Sequence, residues 1–278
     1  RKGYLVVGGM HEDDGHGFIS EFTFVLEVLQ HFEAYASVYA GLCVDFSGQG
    51  YYFDRRAGEN WWEYYFEPLV IGDPQGAATI RLDNGNNPFF AFYCGTDPIA
   101  SQDNTALSRL AWGQLIDRHI RVKPHIRGKI ESFVRDSFEG APVLGVHYRG
   151  TDKILEAPRI PYEMVAAAIR DVAARFAGLR WKLFVATDEQ GFLDYARQLY
   201  PENLVFQDTV RSSTGDGLHM QRAGDYLSGE GAVLDCLLLS RCDHLIRTES
   251  TLSFCATLFN PGVPVTVLRH VRKHAAAT

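Results

Sequence analysis

The sequence predicts an α/β protein built on parallel sheet, and two observations carry that prediction. From residue 143 onward, short apolar runs alternate with amphipathic stretches of helical length. This alternation is typical of βαβ units. At the start of the chain, a predicted strand over residues 4–9 is followed by a glycine-containing loop and a helix over about residues 19–36. Both halves of the chain therefore indicate strand–helix units.

The second half, residues 141–278, has the more regular pattern. We predict its strands over residues 143–149, 181–187, 204–207, 244–247 and 263–268, and its helices over residues 162–176, 192–200, 232–241 and 250–259. A loop rich in glycine and serine is expected from Arg211 to Gly231. We assign this half to one domain.

The first half, residues 1–140, is predicted less regularly. A strand is expected over residues 42–46, followed by a loop-rich stretch, and residues 1–105 hold 20 of the 35 aromatic residues. Residues 105–138 are predicted to be helical with a break at Pro124, because proline interrupts a helix. We assign residues 1–140 to a second domain, in which about residues 105–140 form a connector.

Composition and charge exclude several classes of protein. The hydrophobic share of 46% is ordinary for a globular chain, and no apolar run is long enough for a membrane span. The net charge of −7 argues against general nucleic-acid binding, which needs a basic surface. Residues 1–140 carry 12 basic and 19 acidic residues, whereas residues 141–278 carry 15 of each. The neutral second half leaves room for an anion site.

The cysteines indicate a reducing compartment. There are five, no pair is spaced as C-x-x-C, and no N-x-S/T glycosylation site is present. We expect Cys236, Cys242 and Cys255 to be buried thiols. A cytoplasmic location is the first expectation, and a lumenal catalytic domain of the secretory pathway is the alternative.

The segment from Gly145 to Lys153 contains the densest group of candidate functional side chains in the chain. Alternation along a strand places His147 and Arg149 on one face near its carboxyl end, where open α/β sheets bind ligands. The Arg149 guanidinium suits phosphate oxygens, Lys153 adds a point charge, and Asp152 could hold either cation. The combination indicates an anion site, although any single residue could belong to an ordinary surface turn.

A second candidate segment follows the predicted strand at residues 244–247. Ser250 and Thr251 open a helix there, and their hydroxyls together with the free N–H groups of a helix terminus suit an oxyanion. A simple N-cap is the alternative. Glu249 in the same loop is unfavourable for phosphate.

Two carboxylates lie where a nucleoside could be recognised. Asp188 follows the predicted strand at residues 181–187, and Asp235 lies in apolar surroundings. A carboxylate can accept paired hydrogen bonds from guanine or bind ribose hydroxyls. A helix cap or a partly buried, satisfied acid is the alternative for both.

The loop over residues 11–18 contains two histidines and three acids, which resembles a set of metal ligands. We favour a glycine loop instead, in which Gly15 and Gly17 let the backbone approach a ligand closely. No metal site and no cofactor are expected.

The motif His147-x-Arg149-x-Thr151-Asp152-Lys153 resembles that of the α1,6-fucosyltransferase and nodulation fucosyltransferase group, relatives of protein O-fucosyltransferases. The resemblance extends in order through residues 185–188, 217–219, 234–235 and 245–250, and the Gly15-x-Gly17 loop also fits. It is good across about residues 141–268 and faint before them.

The resemblance implies a GT-B-like fold of two facing Rossmann-like domains, with an acceptor-side domain at residues 1–140 and a donor domain at residues 141–278. It implies an inverting, metal-independent transferase that uses GDP-fucose. By position, Arg149 would hold the β-phosphate with Ser250 and Thr251. His147 and Asp235 would hold the guanine, Asp188 would lie close to the nucleotide, and His219 belongs to a matching segment.

Two departures from the group affect the site. Gly150 stands where the α1,6 enzymes carry a second arginine, and Ala157 stands where they carry a glutamate, with Glu156 one position earlier. The general base is therefore open among Glu156, Asp14 and Glu12.

The alternatives are a catalytically silent nucleotide-sugar-binding protein of the same fold and a transferase for another sugar nucleotide. The acceptor is expected to be a glycan or another hydroxyl compound. Trp61, Trp62 and Tyr65 could stack on sugar rings, although core packing is the safer expectation for at least half of such aromatics. The acidic first half favours a neutral or cationic acceptor.

Overall fold

The computed structural model describes residues 1–9, 17–48, 50, 52–86, 106–150, 159–209 and 226–269. Within these ranges the chain forms two sheets with helices packed against them, so the predicted α/β class is confirmed. No helix in the described ranges is both long and apolar enough to cross a membrane.

The first sheet is formed near the start of the chain. It comprises β1 (Gly3–Val7), β2 (Tyr39–Val44), β3 (Val70–Gly72) and β4 (Ala78–Leu82), in the order β3-β2-β1-β4. The strand β1 runs parallel to β2 and β4, whereas β3 pairs antiparallel with β2. Helix α1 (Phe18–Ala34) connects β1 to β2, as the sequence predicts.

The strands β3 and β4 were not predicted, and their burial explains why. β3 is three residues long, and most of β4 is exposed, so neither gives a clear apolar pattern. Gly72 and Gly76 adopt φ angles of 72° and 75°, in the left-handed region that glycine tolerates, at the end of β3 and in the turn before β4.

The helical stretch between the sheets agrees with the prediction. Helix α2 (Ala106–His119) ends before Pro124, and α3 (Pro124–Phe133) begins at that proline. Proline is tolerated at the first helical position because its missing N–H would have no helical partner there. A short π-helix over Val134–Phe138 leads toward the second sheet.

The second sheet is entirely parallel. It comprises β5 (Val143–Tyr148), β6 (Lys182–Thr187), β7 (Leu204–Val205), β8 (His244–Thr248) and β9 (Val265–Leu268), in the order β7-β6-β5-β8-β9. Four helices alternate with these strands: α4 (Tyr162–Ala173), α5 (Gln190–Leu199), α6 (Tyr226–Leu239) and α7 (Thr251–Phe259).

The strand order of the second sheet creates a switch point. From β5 the chain moves outward through β6 and β7, then returns to β8 on the other side of β5 and continues to β9. The connection that leaves β5 therefore leads toward β6, and the connection that leaves β8 leads the opposite way, toward β9. Ligands of open α/β sheets bind in the crevice at such a point.

An aromatic core joins the two sheets. Trp61, Trp62 and Tyr65 are 1%, 0% and 0% exposed, so the expectation that they stack on sugar rings is wrong and the core expectation is confirmed. The Phe22 and Phe259 rings lie 5.6 Å apart and join α1 to α7. One buried apolar cluster extends across both sheets, and the domain division at residue 140 stays a prediction.

Replacing Tyr65 with phenylalanine tests this connection. The buried Tyr65 hydroxyl donates to the Tyr226 carbonyl over 2.6 Å, at the start of α6. We expect Tyr65→Phe to lower the free energy of unfolding by about 0.5 to 1.5 kcal/mol, because one partly buried hydrogen bond to the start of α6 is lost. Urea denaturation measures this. Tyr35→Phe is the control because Tyr35 is 43% exposed, and equal stabilities of the two variants would contradict the prediction.

Candidate functional site

A cavity of about 420 Å³ opens at the switch point of the second sheet. Its lining residues come from the carboxyl ends of β5 and β6, the turn after β8, the starts of α6 and α7, and the amino end of α1. The two sheets therefore both contribute to its wall. A cavity of this size accommodates a ligand of nucleotide or drug-like dimensions.

Every described residue of the predicted site lines this cavity. These residues are Gly17, His147, Arg149, Asp188, Asp235, Ser250 and Thr251. The remaining predicted residues lie outside the described ranges: Glu12, Asp14, Gly15, Asp152, Lys153, Glu156 and His219. The structure brings the first group together, and the ligand that each residue holds is a matter for the proposal below.

Arg149 is anchored at both of the neighbouring strand ends. Its backbone N–H donates to Thr248 Oγ1 over 3.2 Å, which ties the exit of β5 to the end of β8. Its Nε lies 4.0 Å from Asp188 Oδ2, at the end of β6. The guanidinium thus lies at the limit of ion-pair distance from Asp188, and the Arg149 side chain keeps 27% exposure.

Asp188 also organises the backbone after β5. Its Oδ1 accepts a hydrogen bond from the Gly150 N–H over 3.3 Å. The sequence suggests Asp152 as a partner for Arg149 or Lys153, and that residue lies outside the described ranges; among the described residues, Asp188 lies beside Arg149. Parallel pairing of β5 with β6 brings the ends of the two strands together, and local sequence spacing does not show that proximity.

His147 is a neutral imidazole at the floor of the cavity. It is 6% exposed, and its Nδ1 has no hydrogen-bond partner among the described residues. Burial, followed by the charges of Arg149 and Arg247, lowers the pKa of His147 from 6.5 to about 3. A neutral ring can accept or donate a hydrogen bond without adding charge.

Ser250 occupies the N-cap position of α7 in extended conformation, but its side chain makes no capping hydrogen bond. Ser250 lines the cavity, and its Oγ is buried and has no hydrogen-bond partner among the described residues. Serine at this position usually bonds to the helix N–H groups. Here the hydroxyl and the first-turn N–H groups together suit an anion.

Asp235 is oriented by a residue that the sequence analysis missed. Gln207 Nε2 donates to Asp235 Oδ1 over 2.7 Å, and both residues line the cavity. Gln207 was expected at the end of a strand over residues 204–207, but β7 ends at Val205. No sequence signal indicated that this amide would meet α6.

Two further lining residues, Glu230 and Tyr52, could not be identified from the sequence pattern. Glu230 is 6% exposed and accepts from Lys129 Nζ over 2.5 Å, which connects α6 to α3. The Tyr52 hydroxyl accepts from the Phe18 N–H over 2.8 Å and thereby satisfies a donor at the amino end of α1. Both contacts are long-range and appear only in the folded chain.

The structure gives a physical reason for Gly150. A Cβ at this position would collide with the carboxylate of Glu189, which is held by Arg159 and Tyr162. Glu189 thus occupies the space that a side chain at position 150 would need. Glycine therefore stands at position 150, where the α1,6 group carries an arginine, because the Glu189 carboxylate fills the adjacent space.

Glu249, which the sequence indicates as unfavourable for phosphate, is paired outside the cavity lining. Its Oε1 accepts from Arg269 Nε over 2.9 Å, and Glu249 is absent from the cavity lining. In the described part of the chain, no group of three or more metal-binding side chains is gathered. Most of the loop over residues 11–18 lies outside that part.

The neutral state of His147 predicts a pH dependence of stability. Its pKa in the folded protein lies below the unfolded value, so between pH 6.5 and about 3 the unfolded state binds more protons. The free energy of unfolding should therefore fall as the pH falls through this window, by at most about 1.4 kcal/mol per pH unit from this group. His147→Asn should show a shallower decline in urea denaturation. Identical slopes in two proteins with matching circular dichroism at pH 7 would contradict the prediction.

The comparison with family models matches residues 112–266 to the family described as Nodulation protein Z (NodZ). Nodulation protein Z of Azorhizobium caulinodans is 30% identical over 145 residues, which cover 49% of this chain and 44% of that protein. An alpha-(1,6)-fucosyltransferase of Drosophila melanogaster is 27% identical over 146 residues, covering 50% of this chain and 23% of that protein. The matches thus span less than half the length of these relatives.

Solved structures extend the likeness to the first half of the chain. The crystal structure of NodZ alpha-1,6-fucosyltransferase co-crystallized with GDP has a TM-score of 0.57 and 21% identity, and covers 93% of both chains. Fucosyltransferase NodZ from Bradyrhizobium gives a TM-score of 0.57 with 93% of this chain and 94% of that chain covered. These likenesses support the predicted GT-B-like fold. Since the family match covers more than half of its residues, the chain belongs to the Nodulation protein Z (NodZ) family.

Proposed function

We propose that this protein is a fucosyltransferase that takes fucose from GDP-fucose and transfers it to a hydroxyl group of a glycan or glycoconjugate. The observation that carries the proposal is the cavity at the switch point, which gathers Arg149, the amino end of α7 and Asp235. The relatives support the donor, since solved NodZ structures are described as co-crystallized with GDP and soaked with GDP-fucose.

The diphosphate would lie between the ends of β5 and β8. The Arg149 guanidinium offers paired donors for phosphate oxygens, and Ser250 Oγ and the first N–H groups of α7 offer further donors. Thr251 lies in the same turn. In this arrangement the negative charge of the departing diphosphate meets a cation and a helix dipole in a partly closed site.

The base would lie toward Asp235 and His147. A carboxylate can accept from both N1–H and N2–H₂ of guanine, and Gln207 fixes the orientation of the Asp235 carboxylate. The neutral His147 ring can share a hydrogen bond with the nucleotide through Nδ1. Uracil and adenine lack the paired donors of guanine, so this geometry favours a guanine nucleotide.

The transfer is proposed to invert the anomeric carbon. The acceptor oxygen attacks that carbon from the face opposite the diphosphate, the bond to the β-phosphate oxygen breaks, and GDP leaves with the electron pair. The hydroxyl proton passes to a general base, for which Glu156 and Asp14 remain the candidates, followed by Glu12. Cationic and helix-end stabilisation of the leaving group supports a reaction that needs no metal.

A catalytically silent nucleotide-sugar-binding protein is the alternative within the same fold, and another sugar nucleotide is the second. Glu249 beside the phosphate turn and the shifted position of Glu156 motivate the silent alternative, and the pairing of Glu249 with Arg269 weakens the first of these motives. Tight GDP-fucose binding without donor hydrolysis or transfer would favour it. The described cysteines carry free thiols, which supports a reducing compartment such as the cytoplasm.

Replacement of Arg149 tests the catalytic proposal. We expect Arg149→Ala to lower the rate of GDP release from GDP-fucose by at least about 100-fold, because the leaving diphosphate loses its guanidinium. Arg197→Ala is the control, since Arg197 is exposed and pairs with Asp194 on α5. Circular dichroism checks that both variants fold, and an EDTA arm should leave the wild-type rate unchanged. A fully active Arg149→Ala variant would overturn the assigned role.

The base preference can be tested with GDP and inosine diphosphate, which lacks the 2-amino group of guanine. We expect the wild-type protein to bind GDP about 10-fold more tightly, because one hydrogen bond to a carboxylate is missing with inosine diphosphate. Asp235→Asn should remove most of this difference, whereas Asp194→Asn on the exposed face of α5 should preserve it. Calorimetry measures both affinities, and a preference retained in Asp235→Asn would contradict the prediction.

A further inference from the structure

Arg247 is a buried cation directly behind the proposed diphosphate site. It lies in β8, is 2% exposed, and is paired in register with His147 of β5. It does not itself line the cavity. Placing a charged group in the interior costs free energy unless its surroundings compensate, so its position calls for an explanation beyond packing.

The contacts of Arg247 lead to the turn that presents Ser250. Its Nη1 donates a long hydrogen bond to the Ser250 carbonyl, at 3.4 Å. The same carbonyl accepts from Ser253 Oγ at 3.3 Å and from the Phe254 N–H at 3.0 Å. Three donors therefore converge on the oxygen of one residue at the N-cap of α7.

The turn is also fixed from its other side. Thr248 Oγ1 accepts from the Arg149 N–H, and the Thr248 carbonyl accepts from Ser253 Oγ at 3.5 Å. With the Ser250 carbonyl held, the residue keeps its extended backbone and its hydroxyl stays off the helix N–H groups. The Oγ is buried without a hydrogen-bond partner among the described residues, and Ser250 is one of the residues that line the cavity.

The charge of Arg247 also favours an anion at the amino end of α7. Burial lowers the pKa of Arg247 from 12.5 to about 10, so the guanidinium stays charged at neutral pH. Glu249 and Cys255 shift the pKa of Arg247 upward, and Arg109 shifts it downward. A fixed positive charge near the amino end of α7 adds to the positive potential of that helix terminus.

We propose that Arg247 is a positioning residue for the donor diphosphate, acting through the Ser250 carbonyl on the turn that begins α7. The inference rests on the proposed function, because it takes a nucleoside diphosphate as the ligand of that turn. It makes Arg247 a determinant of phosphate affinity and leaves recognition of the base unchanged.

The test compares GDP with guanosine in calorimetric titrations of wild-type protein, Arg247→Lys and Arg247→Met. We expect Arg247→Met to weaken GDP binding by about 10-fold or more while guanosine affinity changes by less than about 2-fold. Arg247→Lys should recover part of the loss because it restores the charge. Arg175→Met is the control, since Arg175 contacts His244 at the opposite end of β8.

A double-mutant cycle covers the case in which Arg247→Met does not fold. If Arg247 acts through Ser250, the effects of Arg247→Lys and Ser250→Ala on GDP affinity should be less than additive in the double variant. Additive effects, unchanged GDP affinity, or equal weakening of GDP and guanosine would each overturn the positioning role. Failure of the wild-type protein to bind GDP would instead refute the proposed function, and the inference with it.

Discussion

The parallel pairing of β5 with β8 is the constraint on which the candidate site depends. It brings the ends of two strands that are about a hundred residues apart in sequence into adjacent positions, with His147 beside Arg247. The hydrogen bond from the Arg149 N–H to Thr248 Oγ1 then joins the two exits. The cavity opens beside these two strand ends, and its lining includes Arg149 after β5 and Ser250 after β8.

The electrostatics of the cavity follow from this pairing. The chain as a whole is acidic, yet the cavity places one guanidinium in its wall and a second behind it, at Arg149 and Arg247. The imidazole between them is kept neutral by burial and by its cationic neighbours, since a third positive charge there would be repelled and poorly solvated. Asp188 balances Arg149 without being buried beside the other two groups. An acidic protein can thus present a local anion site.

The sequence predicted the parts of this arrangement that are encoded locally. The alternation of apolar and helical segments predicted the second sheet, and the break at Pro124 predicted the boundary between α2 and α3. His147 and Arg149 were predicted to share one face of the sheet because residues two apart in a strand point to the same side. By contrast, Gln207 reaches Asp235 across a tertiary contact, and Arg247 was predicted only as the last residue of a strand. Partners brought together by sheet order leave no spacing signal in one sequence.

The aromatic first half illustrates the same limit and shows how the cavity is held in place. Aromatic residues at a suspected sugar site suggest stacking, but Trp61, Trp62 and Tyr65 are buried where α1 meets the helices of the second sheet. Phe18 begins α1 at the cavity wall, and its ring lies 4.9 Å from that of Tyr65, whose hydroxyl bonds the start of α6. The same aromatics therefore fix the amino end of α1 relative to α6, and both of these elements line the cavity. These aromatics therefore set the distance between two walls of the cavity, because a close-packed core transmits small changes in volume to the surfaces that it supports.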